Sequence, residues 1–321
     1  MAKADQIKAL ISSHLKRDDE RFLTVALQLA ASEAKRGHTN LAHQIRELID
    51  SQERQTVKVV SISSDLADLV QEGQIADDIA SLVVSDRLRE KISRIVREYH
   101  QAEKLAKHGL GNRRKILLSG PPGTGKTMTA SVLAAQLGLP LYTVQLDRLI
   151  TKYLGETGAK LRQIFAMIRK RNGVYLFDEF DAIGAQRGME NEVGEMRRVL
   201  NALLQFIEAD ESRSLIVAAT NNLHSLDNAL FRRFDDVLHY AKPSAEEIES
   251  LMKNRLGAFR GKFAISKVAG QASGLSHAEI TQACDDAIKD AILSDRKTVT
   301  QKRLLEMITD RKTAYGNNHS Q

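Results

Sequence analysis

The sequence predicts an α/β fold in which a parallel sheet is covered by helices on both faces and is followed by a smaller helical domain. Three observations support this prediction. Short apolar runs alternate with longer amphipathic segments between residues 115 and 240, a glycine-rich turn follows the first run, and helical patterns alone follow Pro243. Such alternation is typical of parallel sheets with helical crossovers.

Composition indicates a globular chain with room for one large domain and one or two small ones. The 321 residues are 42% hydrophobic and 27% charged, which is ordinary for such proteins. We find no apolar run long enough to cross a bilayer and no signal-peptide pattern, so we expect a cytoplasmic protein without a membrane partner. The single cysteine, Cys284, excludes an internal disulfide framework, and its place on an apolar helix face favours a buried thiol.

The amino-terminal part is predicted to form a helical docking domain over residues 1–52. It contains three short apolar stripes at helical spacing, which bury little surface alone. The domain is therefore expected to pack on a neighbour or to choose a partner protein. Residues 53–74 are polar, and we interpret them as a linker with a short strand or helix at most.

The α/β domain is predicted over residues 75–242, a helical lid domain over 243–311 and a flexible tail over 312–321. Pro243 marks the boundary between the first two. The α/β domain has five strand candidates, at residues 115–118, 141–144, 174–177, 215–219 and 236–240.

A phosphate-binding loop is predicted at residues 119–127, which are Ser-Gly-Pro-Pro-Gly-Thr-Gly-Lys-Thr. It follows a strand pattern and opens a helix pattern, so backbone N–H groups and a helix N-terminus would face anionic oxygens. Lys126 can reach the terminal phosphates of a nucleoside triphosphate, and the Thr127 hydroxyl can hold Mg²⁺.

Polar side chains end the third and fourth strand patterns. Asp178 would lie near the Mg²⁺ of a bound nucleotide, and Glu179 could orient and deprotonate the attacking water. Asn221 could touch the terminal phosphate or the water. The candidate nucleotide-binding residues are Pro122, Gly123, Thr124, Gly125, Lys126, Thr127, Met128 and Asp178, with Thr127 and Asp178 as the Mg²⁺ ligands.

Two adjacent arginines, Arg232 and Arg233, precede a Phe-Asp pair after the fourth strand pattern. They could form ion pairs within their own domain. They could also act as arginine fingers on the phosphates of a neighbouring subunit. The residues alone leave both interpretations open.

Together these motifs resemble those of AAA+ ATPases, in the branch that contains protein-remodelling and unfolding motors. The resemblance covers roughly residues 75–311, with residues 120–127 similar to the Walker A motif, 176–181 to Walker B and 219–221 to sensor 1. It implies a P-loop NTPase sheet with a helical lid, and ATP and Mg²⁺ as ligands.

The resemblance also implies roles for single residues. Asn221 would be the sensor, and Arg232 and Arg233 would be trans-acting fingers, so a ring, usually a hexamer, is expected. Family members commonly separate the two arginines by two residues, and here they are adjacent, so which one reaches the neighbour stays open. Residues 274–280 resemble the lid motif near the adenine, and we expect His277 within it to be exposed or structural.

A further resemblance concerns the substrate. Residues 152–156 are similar to the aromatic–hydrophobic–glycine pore loop of members that translocate polypeptides. Apolar side chains on mobile loops can hold an extended chain without regard to its sequence. The alternative is that Tyr153 packs against its own domain. The candidate pore-loop residues are Lys152, Tyr153, Leu154 and Gly155.

Three hypotheses for function follow. The first is a ring-forming, Mg-ATP-dependent protein-remodelling motor. The second is a nucleic-acid-acting AAA+ ATPase, supported by ten Lys or Arg against four acidic residues, an excess of six, between Asp86 and Lys115. In the third, ATP controls assembly with a separate effector such as a protease.

Overall fold

A computed structural model describes residues 25–26, 28–30, 32, 69–73, 81–149, 154–180, 190–222 and 231–316. The chain divides into two compact units, Met1–Ile62 and Ser63–Gln321. In the first unit, the described residues are helical, and Ala26 and Ala30 are buried. The remainder of the predicted docking domain lies outside the described residues, so that domain stays a prediction.

A mixed sheet of six strands organises the second unit. The strands lie in the order β1-β3-β4-β5-β2-β6, and every neighbouring pair is parallel except β1 and β3. All five strands that the sequence predicts are confirmed. The strands are β1 (Val70–Gly73), β2 (Lys115–Ser119), β3 (Leu141–Val144), β4 (Val174–Phe177), β5 (Leu215–Thr220) and β6 (Asp236–His239).

The antiparallel edge strand β1 is a feature that the sequence pattern does not assign. It lies in the stretch interpreted as a linker, and its register joins Val70 to Val144 and Gly73 to Leu141. Val70 is its one buried residue, so the strand lacks the apolar alternation that identifies strands in a sequence. The sheet therefore begins ahead of the predicted boundary at residue 75.

Helices surround the sheet and then form the lid. Every residue of β4 and β5 is buried, as expected for parallel strands covered on both faces. The α/β part contains α1 (Asp86–His100), α2 (Ala102–Ala106), α3 (Lys126–Leu137), α4 (Leu146–Leu149), α5 (Leu154–Lys170) and α6 (Glu190–Glu208). The lid contains α7 (Ala245–Leu256), a 3₁₀ turn at Gly257–Phe259, α8 (Ile265–Gln271), α9 (His277–Leu293) and α10 (Gln301–Gly316).

The last helix extends further than its sequence pattern indicates. It continues to Gly316, so the helix includes the first residues of the predicted tail over 312–321, and the flexibility of that tail stays a prediction. Within the described part of the chain, no helix is long and apolar enough to span a membrane.

The lid has a core of its own, separate from the core around the sheet. Its first and third helices each begin with a capping box, in which a serine and a glutamate satisfy each other's backbone N–H groups. The pairs are Ser244 with Glu247 and Ser276 with Glu279. Cys284 lies in this core with no exposed surface, which agrees with the sequence-based prediction of a buried thiol.

Cys284 is expected to resist alkylation in the folded protein. Burial, aided by the charge of Asp285, raises the pKa of its thiol to about 12, so the reactive thiolate is scarce at pH 8. We expect mass spectrometry to show little iodoacetamide adduct on the native chain, and complete labelling in guanidinium chloride. Rapid labelling of the native chain would contradict the buried position.

Candidate active site

The phosphate-binding loop joins β2 to α3 in a conformation that depends on glycine. Gly123 and Gly125 have φ of 71° and 97°, in the left-handed region that side chains disfavour. Gly125 is the N-cap of α3, so Lys126 and Thr127 occupy the first turn of that helix. The first N–H groups of a helix have no carbonyl acceptor within the helix, so this helix start can bind anionic oxygens.

Tyr240 holds the start of the loop in place. A Cβ atom on Gly120, which has φ of 153°, would lie 2.3 Å from the Tyr240 carbonyl oxygen. The Tyr240 N–H donates to the Ser119 carbonyl at 2.6 Å, and its hydroxyl donates to Thr129 Oγ1 in α3 at 2.6 Å. Burial raises the pKa of Tyr240, so the phenol keeps the proton that it donates.

The ammonium group of Lys126 is held inside the loop. Its Nζ donates to the carbonyl oxygens of Gly120 and Pro121 and to Oδ1 of Asn221, each at 2.8 Å. The sequence predicts Asn221 beside the terminal phosphate or the water. In the structure its side chain accepts a hydrogen bond from Lys126 of the loop. Asn221 thus connects the end of β5 to α3.

The two predicted Mg²⁺ ligands are hydrogen-bonded neighbours. Thr127 Oγ1 donates to Asp178 Oδ2 at 2.7 Å, and Asp178 Oδ1 accepts from the Glu179 N–H at 2.9 Å. No group of three or more His, Cys, Asp or Glu side chains in the described residues could hold a metal alone. A hydroxyl and a carboxylate fit Mg²⁺, which usually completes its coordination with water and substrate phosphates.

Glu179 occupies a restricted backbone conformation at the end of β4. Its φ is 51°, which non-glycine residues adopt rarely and which is found frequently at functional sites. Its side chain is exposed between the half-buried Asp178 and the buried Phe180. Phe180 packs edge-to-face on Phe234, with ring centroids 6.4 Å apart, so the chain after β4 contacts the segment that carries the two arginines.

Lys126, Thr127, Asp178, Glu179 and Asn221 line one cavity of about 800 Å³, which is within the size range of small-molecule sites. One part of its wall comes from the loop and the strand ends. The remaining lining residues are Ser81, Leu82, Val83, Leu251, Asn254, Arg255, His277, Ala278, Thr281 and Gln282. The resemblance of residues 274–280 to a lid motif predicts part of this wall. Residues 81–83 and α7 are not predicted, because no local pattern shows which distant segments close over a loop.

Direct contacts connect the lid to the phosphate-binding loop. The Ala278 N–H donates to the Gly123 carbonyl at 3.0 Å, and a Cβ on Gly123 would lie 2.8 Å from Ser276 Oγ. His277 lines the cavity between these two residues, and both of its ring nitrogens are buried. The start of α9 therefore forms part of the nucleotide site.

The two candidate finger arginines have different environments. Arg232 is exposed, whereas Arg233 Nε lies 3.4 Å from Glu208 Oε2 of the same chain. Neither lines the cavity. Arg255 is the one arginine among the described lining residues, and its guanidinium is bound by both carboxylate oxygens of Asp285.

Part of the predicted site lies outside the described residues. This applies to Lys152 and Tyr153 of the candidate pore loop. Leu154 and Gly155 form the first turn of α5. The described part of the loop therefore leads directly into a helix that packs on α6.

The basic segment before the loop is largely engaged in contacts within the domain. Of its ten cationic side chains, six bond to carboxylates or carbonyls of the same domain. Asp236, for example, accepts from Lys91 at 2.8 Å and lies in β6. Much of the positive charge is thus engaged in contacts of α1 and of the residues at the start of β2 with their own domain. The six residues are Arg89, Lys91, Arg94, Arg113, Arg114 and Lys115.

Fold and site together define a P-loop nucleotide hydrolase, and comparisons with known proteins give its family. The family model "ATPase family associated with various cellular activities (AAA)" matches residues 116–241. A protein described as an uncharacterised AAA family ATPase of Sinorhizobium fredii is 35% identical over 317 residues, which are 97% of this chain and 96% of that protein. The chain therefore belongs to the AAA family of ATPases and is an ATP hydrolase.

Other relatives match a shorter part of the chain. A proteasome-activating nucleotidase of Methanoregula boonei is 32% identical over 64% of this chain and 49% of its own length. An ATP-dependent zinc metalloprotease FtsH of Mycoplasmopsis synoviae is 31% identical over 66% of this chain and 32% of its own length. The shared part is shorter than this chain and is about half or less of each relative. These relatives therefore support the ATPase assignment, and their remaining parts are not matched by this chain.

Substitution Gly120→Ala is expected to destabilise the protein by about 3 kcal/mol, because the new Cβ meets the Tyr240 carbonyl at a strained φ. Denaturant unfolding measures the change. Gly111→Ala is the matched control, since nothing lies within 4 Å of its Cβ position. Equal stabilities of the two variants would contradict the close approach of the loop to Tyr240.

Proposed function

We propose that this chain is a ring-forming ATPase that uses Mg-ATP hydrolysis to remodel a protein partner. The observation that carries the proposal is an active site in which the described residues supply every expected group except a free arginine. Lys126, Thr127, Asp178, Glu179 and Asn221 line one cavity, whereas its arginine, Arg255, is paired with Asp285. Charge that develops on transferring phosphate oxygens calls for such a group, and a second subunit can supply it.

The side chains divide the hydrolytic work among them. Lys126 neutralises the terminal phosphates, and binding of ATP would exchange one of its loop carbonyl contacts for phosphate oxygens. Thr127 and Asp178 would hold Mg²⁺, which neutralises phosphate charge when bound. Exposed Glu179, at the end of β4, orients and deprotonates the attacking water. Asn221 positions Lys126 and responds to the state of the phosphates.

Arg232 is the better candidate for the trans-acting finger. Its side chain is exposed and no hydrogen bond within the described residues holds it, so it can extend from the surface towards another subunit. Arg233 is partly engaged, at 3.4 Å from Glu208, and one of its terminal nitrogens is buried. We therefore assign Arg233 to local structure and Arg232 to the neighbour's ATP.

Motion of the lid would connect hydrolysis to work on a partner. The contact between Gly123 and Ala278 joins the phosphate-binding loop to the lid, so a change at the phosphates can rotate the lid against the sheet. The same change would shift the segment before α5, where Tyr153 is proposed to grip an extended polypeptide. The relatives named as a proteasome-activating nucleotidase and an ATP-dependent metalloprotease are consistent with a protein as the substrate.

ATP control of a separate effector, such as a protease, is a second candidate function. It is favoured by the name of the proteasome-activating relative. In this case the amino-terminal unit would dock the effector, and Tyr153 would not be needed. The engaged basic segment gives little support to the nucleic-acid hypothesis.

Glu179→Gln is expected to retain ATP binding and to lower turnover at least 100-fold, because water activation is lost while the phosphate contacts remain. A coupled ATPase assay and equilibrium binding measure both effects. Glu211→Gln, an exposed acid outside the cavity, is the control. Normal turnover by the Glu179 variant would refute its assignment as the base.

The same variant with ATP serves as a trap for the partner. A protein retained by Glu179→Gln, and lost when Tyr153→Ala is added, would support pulling on a polypeptide. Retention that is independent of Tyr153 would favour control of an effector. Capture of nucleic acid without protein would overturn the remodelling proposal.

Arg232→Ala is expected to lower ATP turnover at least 100-fold with little change in ATP affinity, because the finger acts on the neighbour's transition state. Arg233→Ala is expected to affect mainly stability, by at most about 1 kcal/mol, through the pair with Glu208. The test is to measure turnover and urea unfolding of both variants. The opposite pattern would assign the finger to Arg233.

A further inference from the structure

The side chain of His277 is unusual among the residues that line the nucleotide cavity. Both ring nitrogens, Nδ1 and Nε2, are buried and have no hydrogen-bond partner in the described part of the chain. The backbone of Val83 approaches the ring without forming a hydrogen bond of normal geometry. Buried polar groups are nearly always hydrogen-bonded, and leaving one without a partner is destabilising.

The surrounding structure fixes the backbone that carries this ring. His277 is the first residue of α9, between the capping serine Ser276 and Ala278. Both neighbours touch Gly123 of the phosphate-binding loop, and Glu279 closes the capping box. The backbone that carries the imidazole is thus held from two sides at the wall of the cavity.

The lining that residues 81–83 and the lid contribute differs in character from the lining contributed by the phosphate-binding loop and the strand ends. Leu82, Val83, Leu251 and Ala278 provide apolar surface, beside the polar Ser81, Asn254, Thr281 and Gln282 and the paired Arg255. The cationic and acidic groups proposed to act on phosphates and Mg²⁺, from Lys126 to Asp178, belong to the loop and the strand ends. An apolar wall with a few placed polar groups is typical of sites for flat organic groups, which fits the nucleoside half of ATP.

We propose that His277 hydrogen-bonds the nucleoside half of the bound nucleotide, and that its nitrogens lack partners because the ligand supplies one. This inference deepens the proposed function and rests on its ATP site. Burial lowers the pKa of His277, against smaller opposing effects of the Glu247 charge and the Val83 backbone. The ring is therefore neutral near pH 7, with one N–H donor and one acceptor nitrogen, both of which occur on the edges of a base or ribose.

The test compares ligand affinity with the stability of the ligand-free protein. His277→Ala is expected to weaken ADP binding about three- to tenfold, the loss of one neutral hydrogen bond. Its unfolding temperature without nucleotide is expected to stay the same or rise, since two unsatisfied nitrogens disappear. His277→Gln, which keeps a donor and an acceptor, should recover most of the affinity, and His108→Ala, an exposed histidine outside the cavity, should match the parent.

Three results would overturn the inference. The first is unchanged ADP affinity in His277→Ala. The second is a lower unfolding temperature of His277→Ala together with its lower ADP affinity, neither of which His277→Gln restores. That result would make His277 a structural residue. The third comes from tripolyphosphate, which lacks the nucleoside and should bind parent and variant with equal affinity. An equal loss of affinity for ADP and tripolyphosphate would move the contact to the phosphates. If the parent binds ADP but captures no protein, the remodelling proposal fails and the inference about His277 is unaffected.

Discussion

The close approach of the phosphate-binding loop to the end of β6 is the constraint on which the site depends. Gly120 has no side chain where a Cβ would meet the Tyr240 carbonyl, so the chain leaving β2 can turn directly over the neighbouring strand. The Tyr240 hydroxyl then bonds to Thr129 in α3. One residue at the end of β6 thus fixes both the beginning of the loop and the helix that follows it.

The strand order places the other groups of the site around the same loop. Because β2 lies between β5 and β6, the loop emerges next to the end of β5, and Asn221 comes within 2.8 Å of Lys126. The end of β4 brings Asp178 to Thr127 at 2.7 Å. The lid then closes the cavity through Gly123 and Ala278. The active site is thus the carboxyl edge of a parallel sheet, with a helical domain attached to its loop.

The sequence predicts the parallel core and the loop well because both leave local signals. Continuous apolar runs identify buried strands, and the spacing of glycines with Lys126 and Thr127 is set by phosphate geometry. Features that depend on contacts between distant segments are not predicted by local patterns. The edge strand β1 has one buried residue, and the part that Tyr240 plays follows from its contact with Gly120, which no local pattern encodes. For the same reason, the sequence does not distinguish the two adjacent arginines, whereas the exposure of Arg232 and the contact of Arg233 with Glu208 do.

The central claim is that Asn221 and the loop carbonyls together hold Lys126 at the phosphates. The most direct measurement is calorimetric titration of Mg-ATP into Asn221→Ala and Lys126→Ala, with circular dichroism to verify folding. We expect Lys126→Ala to lose at least 100-fold in affinity, and Asn221→Ala to bind within about tenfold of the parent while its turnover falls, since one contact to the ammonium is worth about 1 kcal/mol. Unchanged ATP affinity in folded Lys126→Ala would contradict the account.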